Sequence, residues 1–260
     1  MTDTHSKYVV GTSGYSFADW VGSFYPPGTR QKDMFALYAK TFRTVELNFT
    51  FYNLTPGATL HRMVAKAPDG FDFWVKANQE LTHRGNLAAA GEFLEQLQPV
   101  RTSGKLAGVL AQFPQSFHRT SEARKYLAGL IDALRAAPLA VEFRHCSWDN
   151  PSTIAGLAEH GVTLVIPDVP AIADLYRPRP VATTSIGYLR LHSRNANSWY
   201  GGAAERYDYS YGDEQLAALL KAWSEVEQAA QRVYAFFNNC HRGQAAQNAE
   251  AFRRILGQIK

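Results

Sequence analysis

Several short segments of this chain carry a polar side chain at every second position. They include Thr44-Val45-Glu46-Leu47-Asn48, Trp74-Val75-Lys76, Val141-Glu142-Phe143-Arg144 and Tyr188-Leu189-Arg190-Leu191-His192. In an extended chain alternate side chains share a face. Val45, Leu47, Val141, Phe143, Leu189 and Leu191 then form an apolar set, and Glu46, Asn48, Lys76, Glu142, Arg144, Arg190 and His192 a polar one. Gln112, Asp168 and Asn238 end further segments of this kind. Carboxylates and an imidazole can move protons, so Glu46, Glu142, Asp168 and His192 are the candidate catalytic groups, with His192 expected near its ordinary pKa of about 6.5. The guanidinium forks of Arg144 and Arg190 suit a phosphate or carboxylate, and Lys76 adds a point charge. Asn48, Asn238 and Asn239 can orient hydroxyls or carbonyls. The competing reading is structural: acids and bases neutralise one another in a buried lattice.

A metal needs three or more convergent His or carboxylate ligands. Glu46, Glu142, Asp168 and His192 qualify by position, and His83, His145 and His241 sit in loops that could approach. Lys76, Arg144 and Arg190 are expected in the same space, however. Acids held by cations are the expectation, with no metal and no cofactor.

The elements that must position these groups recur along the chain. Apolar runs lie at Tyr8–Thr12, Thr44–Phe49, Phe71–Lys76, Ala107–Phe113, Leu139–Arg144, Thr163–Pro167, Gly187–His192 and Val233–Asn238. Their length and their Val, Leu, Phe and Tyr content suit strands. Helical spacing follows in Asp33–Phe42, in Ser121–Ala136 and in Glu214–Ala230, where Asp213 is the expected cap. Near-continuous apolar strands alternating with helices mean a covered parallel sheet. Eight such units predict one domain over residues 1–260, an α/β closed (β/α)8 barrel of the TIM type, with an open doubly wound sheet as the alternative. Pro170, Pro178 and Pro180 leave no room for a full helix after the sixth strand, so that unit is expected to be degenerate. In such barrels the active site lies at the C-terminal ends of the strands, where the polar set falls.

Two loops at that face are long and aromatic, Ser13–Arg30 and Ser193–Gly212. Loops of this length are usually functional or disordered. The aromatics of the first, Trp20 and Tyr25, are expected either to plug the mouth or to pack on a neighbour. The second, flanked by Gly201-Gly202 and Gly212, is expected to be a mobile lid. Trp148, Trp199 and Tyr200 are the expected stacking faces for a ligand.

The chain has 260 residues, 27 Lys+Arg against 23 Asp+Glu, and 2 Cys. A net charge of +4 fits an anionic ligand and falls short of demanding nucleic acid. The two thiols, Cys146 and Cys240, exclude a disulfide scaffold and are expected to be small semi-buried groups. Met1 to Lys7 is polar with no apolar stretch behind it long enough for a signal peptide, and no run approaches the roughly 20 residues of a membrane span. A cytoplasmic monomer with no membrane partner is expected.

The placed motifs resemble the YecE-like family, a domain of unknown function. The matching stretches are Gly11-Thr12-Ser13-Gly14-Tyr15, Thr44-Val45-Glu46-Leu47-Asn48 with Thr50-Phe51-Tyr52, Val75-Lys76 with Thr82-His83, and Gln112-Phe113-Pro114 with Ser116-Phe117. They continue through Val141-Glu142-Phe143-Arg144-His145 with Ser147-Trp148, Asp168 with Pro170, and Tyr188 with Arg190-Leu191-His192. Phe237-Asn238-Asn239, Gly243 and Asn248-Ala249 complete the set. Ser193 and Cys240-His241 depart from the pattern, at loop positions. The resemblance implies a TIM-type barrel, related in architecture to endonuclease IV-like and xylose-isomerase-like barrels, and supplies no reaction. The expected function is binding of a phosphate-bearing ligand, an anionic small molecule or nucleic acid, with phosphodiester hydrolysis as the reaction. The alternatives are an isomerase or lyase acting on a sugar or sugar phosphate, and a binding protein without turnover.

Overall fold

The computed structural model describes residues 7–52 and 57–258. Eight parallel strands follow one another in the sheet order β1-β8-β7-β6-β5-β4-β3-β2. They are β1 (Tyr8–Thr12), β2 (Thr44–Leu47), β3 (Asp72–Lys76), β4 (Leu106–Gln112), β5 (Leu139–Glu142), β6 (Thr163–Asp168), β7 (Ile186–Leu191) and β8 (Arg232–Phe237). Helices alternate with them, giving a (β/α)8 barrel. Its ladder is thin at two places. β5 and β6 share two register pairs, Ala140↔Thr163 and Val141↔Leu164. Between β1 and β2 the contact is a single bridge, Ser13↔Glu46, where the Gly14 N–H donates to the Glu46 carbonyl at 2.8 Å. The two strands approach so closely that a Cβ on Gly11 would lie 2.4 Å from the Thr44 carbonyl oxygen.

The alternation read from the sequence is the alternation of the packing. Val45, Leu47, Phe73, Val75, Val109, Val141, Leu189 and Leu191 join the large core shared with the helices. Trp74, Leu110, Ala140, Val165, Tyr188, Tyr234 and Phe236 form a separate cluster that no helix residue enters, the filling of the barrel. Trp74 sits edge-on to Tyr188 at 4.6 Å between centroids and to Tyr234 at 5.4 Å. Gly108 makes room for it: a Cβ there would lie 2.5 Å from the indole. This aromatic plug closes the barrel below the polar set.

The degenerate sixth unit is present, with no helix between Asp168 and Ile186. Three expectations need correction. The helix Asp213–Ala222 is not capped by Asp213, which is its first residue and pairs with Arg254 at 2.9 Å. Gly212 holds the cap position, and its N–H donates to the Gln215 side chain at 3.1 Å. The helical pattern breaks at Trp223 before resuming over Ser224–Ala229. Finally, β2 ends at Leu47 and a short helix, Phe49–Tyr52, takes over from the expected strand.

Candidate active site

The floor of the barrel mouth is a continuous chain of charge-assisted contacts. Glu46 of β2 accepts from the Tyr188 hydroxyl at 2.7 Å and from Arg190 Nη2 at 2.7 Å. The other Arg190 nitrogen, Nη1, donates to Glu142 Oε2. Glu142 Oε1 lies 2.5 Å from Arg144 Nε, a contact of charge rather than an aligned hydrogen bond, and 3.2 Å from His192 Nε2. The Asn238 amide meets His192 Nδ1 at 2.9 Å. Two groups meet at Nε2, Glu142 Oε1 at 3.2 Å and Arg144 Nη2 at 3.3 Å; with the Asn238 amide donating to Nδ1, Nε2 carries the proton and Glu142 is its acceptor. Glu46, Glu142, Arg190 and His192 are buried almost completely.

Burial on its own would raise the Glu142 carboxyl, but Arg144, Arg190 and His192 together outweigh it and hold the group well below the usual carboxylate range. Burial would likewise strip a proton from Arg190, and Glu142 and Glu46 reverse that. His192 is the correction here. Burial first, and Arg144 second, push its pKa down to about 3 against the pull of Glu142. It is neutral at physiological pH instead of poised near 6.5. The cause is the desolvation that a sequence-based pKa ignores.

Lys76 differs from the arginines. Its Nζ donates to Gln112 Oε1 at 2.9 Å and lies over the Phe51 ring, 4.2 Å from the centroid. Among the described residues no carboxylate comes within ion-pair distance of it. Desolvation, then Arg190, bring its pKa down to about 7. His83 stands edge-on to the same Phe51 ring at 4.8 Å. Its pKa is lowered to about 4 by partial desolvation and then by Lys76 and Arg144, although the residue itself reaches the surface.

Asp168 makes its contacts apart from this floor. Arg194 grips it bidentately, with Nε 2.9 Å from Oδ2 and Nη2 2.8 Å from Oδ1, and the Tyr211 hydroxyl donates to it at 2.7 Å. Asp168 ends β6 beside β7, with its carbonyl accepting from the His192 N–H at 3.1 Å, but its carboxylate does not join the Glu46–Glu142 contact chain. Arg194 was missed, although it continues the alternation Arg190, His192, Arg194 past the end of β7.

The aromatic expectations divide. Trp148 does not face the mouth. It is buried and stacked on Phe143 at 4.2 Å and Phe117 at 5.2 Å, with its N–H donating to the Phe117 carbonyl at 2.6 Å. A single 3-10 turn, Cys146–Trp148, carries it to the outer face of β5. Trp199 does reach the site, but it is buried against Val169 and Leu175 and presents no open stacking face: Arg144 lies over it at 5.7 Å and Arg206 at 5.6 Å, and its ring is edge-on to His192. Tyr200 is 61% exposed and accepts from Gln115 at 3.2 Å. Trp20 and Tyr25 are buried in the first loop. Asn48 keeps a buried Oδ1 that no described residue satisfies. His145 stacks on His118 at 3.8 Å, and His241 approaches Asp208, so neither joins the floor. The ligand atoms of His145, Cys146 and Asp174 lie within 4.8 Å of one another, at the loop end of β5.

These features define a (β/α)8 barrel protein with a charged, partly unsatisfied mouth at the C-terminal ends of its strands. The chain belongs to the family described as "Protein of unknown function DUF72", which matches residues 9–260. UPF0759 protein YunF of Bacillus subtilis (strain 168) is 31% identical over 267 residues, covering 95% of this chain and 94% of that protein. A DUF72 family protein from Thermotoga maritima MSB8 is 38% identical with a TM-score of 0.89, covering 96% of this chain and 99% of the other. Another, from Enterococcus faecalis V583, is 26% identical with a TM-score of 0.85, covering 96% and 95%. Among the described residues no helix is long and apolar enough to cross a membrane.

Proposed function

We propose that the mouth binds a small phosphate- or carboxylate-bearing molecule, with the anion against Arg144 and Lys76. The observation that carries this reading is the unequal pairing of the three cations. Arg190 is spent on Glu46 and Glu142. Arg144 meets Glu142 through Nε and the neutral His192 through Nη2, and Lys76 meets a neutral amide. Two carboxylates thus face two guanidiniums and an ammonium, which leaves the mouth positive whenever Lys76 is protonated.

Of the reactions open to such a site, proton transfer on a sugar phosphate, as in an isomerase or lyase, fits better than hydrolysis of a phosphodiester. Hydrolysis with His192 as general acid or base asks that imidazole to change charge, whereas proton transfer on a sugar phosphate can use the Lys76 amine, whose pKa is about 7. His192 is kept neutral, and both its ring nitrogens are engaged. A polymer backbone would also find few cations at the surface, since the Arg144 side chain is only 11% exposed.

The test is calorimetric titration with glycerol 3-phosphate, glycerol and a single-stranded DNA oligomer. Glycerol 3-phosphate should bind and glycerol should not. Arg144→Ala should weaken the phosphate by roughly 10- to 150-fold, the loss of about 1.5–3 kcal/mol from one charge-assisted contact. Tight DNA binding that collapses between 50 and 200 mM salt would instead restore the nucleic-acid reading.

A further inference from the structure

We propose that Lys76 is a nucleophile, whose amine condenses with the carbonyl of an aldehyde or ketone to form an imine at the barrel mouth. For the ligand's second group this rests on the anion reading above; for the attacking atom it does not.

A lysine kept as a fixed charge is normally matched by a carboxylate. Here the nearest acids are already taken, Glu46 by Tyr188 and Arg190, Glu142 by Arg190, Arg144 and His192. Lys76 has instead a neutral acceptor, Gln112, whose own amide donates to the Phe113 carbonyl at 2.6 Å and so fixes its oxygen toward Nζ. Phe51 walls one side at 4.2 Å. The charged groups felt by the ammonium are Arg190 and Arg144, which disfavour it, and Glu46 and Glu142, which favour it; with desolvation the largest effect, the balance comes to about 7. Near neutral pH a large share of Lys76 is therefore free amine, the state that attacks carbonyls. The side chain remains partly exposed, so a ligand can reach it.

The step balances without an oxidant. The nitrogen lone pair forms a bond to the carbonyl carbon, and the C=O π pair moves to oxygen and takes up a proton. The resulting carbinolamine loses its hydroxyl as water while the nitrogen gives up its protons.

The experiment uses pyridoxal 5′-phosphate as a phosphate-bearing aldehyde, borohydride to reduce any imine, and peptide mass spectrometry to locate it. Exposed Lys32, Lys40, Lys66, Lys125 and Lys221 serve as internal standards. At pH 7 Lys76 should be labelled at least about 10-fold faster than these, because an ordinary lysine titrates near 10.4. Its labelling rate should level off just above pH 7, while theirs keeps rising. Lys76 labelling no faster than the standards overturns the proposal, and this readout needs no variant. A Lys76→Arg protein with an unchanged melting curve should lose only the fast label. Pyridoxal, without the phosphate, separates the two readings. Equal labelling of Lys76 by both aldehydes supports the imine and removes the anion site. Binding of the phosphate form that leaves Lys76 unlabelled does the reverse.

Discussion

Glu142 and Asp168 are both carboxylates at the top of a strand, and both are held by arginine. Glu142 is fully buried, and its partner Arg190 is 2% exposed. Asp168 is 11% exposed and its partner Arg194 34%. The first pair is built by strand residues across the barrel, the second by a strand end and the loop that follows β7. Coulombic attraction in the two places has different worth. A buried pair gains little over an apolar replacement but loses heavily when one member is removed, because the other is left charged and dry. A partly solvated pair loses little either way.

The sharpest way to break this contrast is Arg190→Ala, which strands Glu46 and Glu142 together. We expect a loss of about 3–5 kcal/mol in urea unfolding. Combining Arg190→Met with Glu46→Gln and Glu142→Gln should recover most of that loss and, because Arg144 and Lys76 remain, leave phosphate binding in place. Loss of phosphate binding in that variant would mean that the floor, and not Arg144 with Lys76, holds the anion.

The next effect is in pH. The folded pKa of His192 is about 3, below the roughly 6.5 of an unfolded chain. A depressed pKa contributes stability that is whole above the unfolded value and is lost as pH falls toward the folded one. From about 6.5 downward the protein should lose up to about 1.4 kcal/mol for each pH unit relative to His192→Gln. The depressed Glu142 carboxyl adds a loss of the same sign below about 4.3. Melting temperatures of both proteins between pH 4 and 8 check this; parallel curves would mean that His192 is not held neutral.

Asp168→Asn should cost about 1 kcal/mol or less, because the pair is partly solvated. Its signature should be faster amide exchange across residues 193–212, where Arg194 and Tyr211 lose their anchor. A loss as large as that of Arg190→Ala would erase the distinction between the two regions. Smallest of all, Tyr200→Ala should leave stability within about 0.5 kcal/mol, its ring being 61% exposed. Any change in phosphate binding would then report contact with the ligand.

The same contrast marks where the sequence is legible. Glu46, Glu142 and Arg190 lie inside or at the end of strands, where a period of two leaves one choice of face and a slip would expose the whole apolar set. The barrel, the proline-broken sixth unit and the floor follow from that. Past the strand ends the period lapses. Trp148 turns outward on one 3-10 turn, Asp168 finds a partner from the next loop, and Gly212 takes the cap position expected of Asp213. Loop geometry decides each of these, and no local spacing encodes it. His192 was found but its charge was not, since that depends on burial by distant residues.

The thin places in the ladder give Arg190 a mechanical meaning. They divide the barrel into two half-shells, one made of β2 to β5 and the other of β6, β7, β8 and β1. Glu46 stands on the strand beside one seam and Glu142 on the strand beside the other. Arg190 rises from the opposite half-shell and clasps both. One side chain thereby ties the two seams like a brace across a hoop, and the shape of the mouth is set where its chemistry is held.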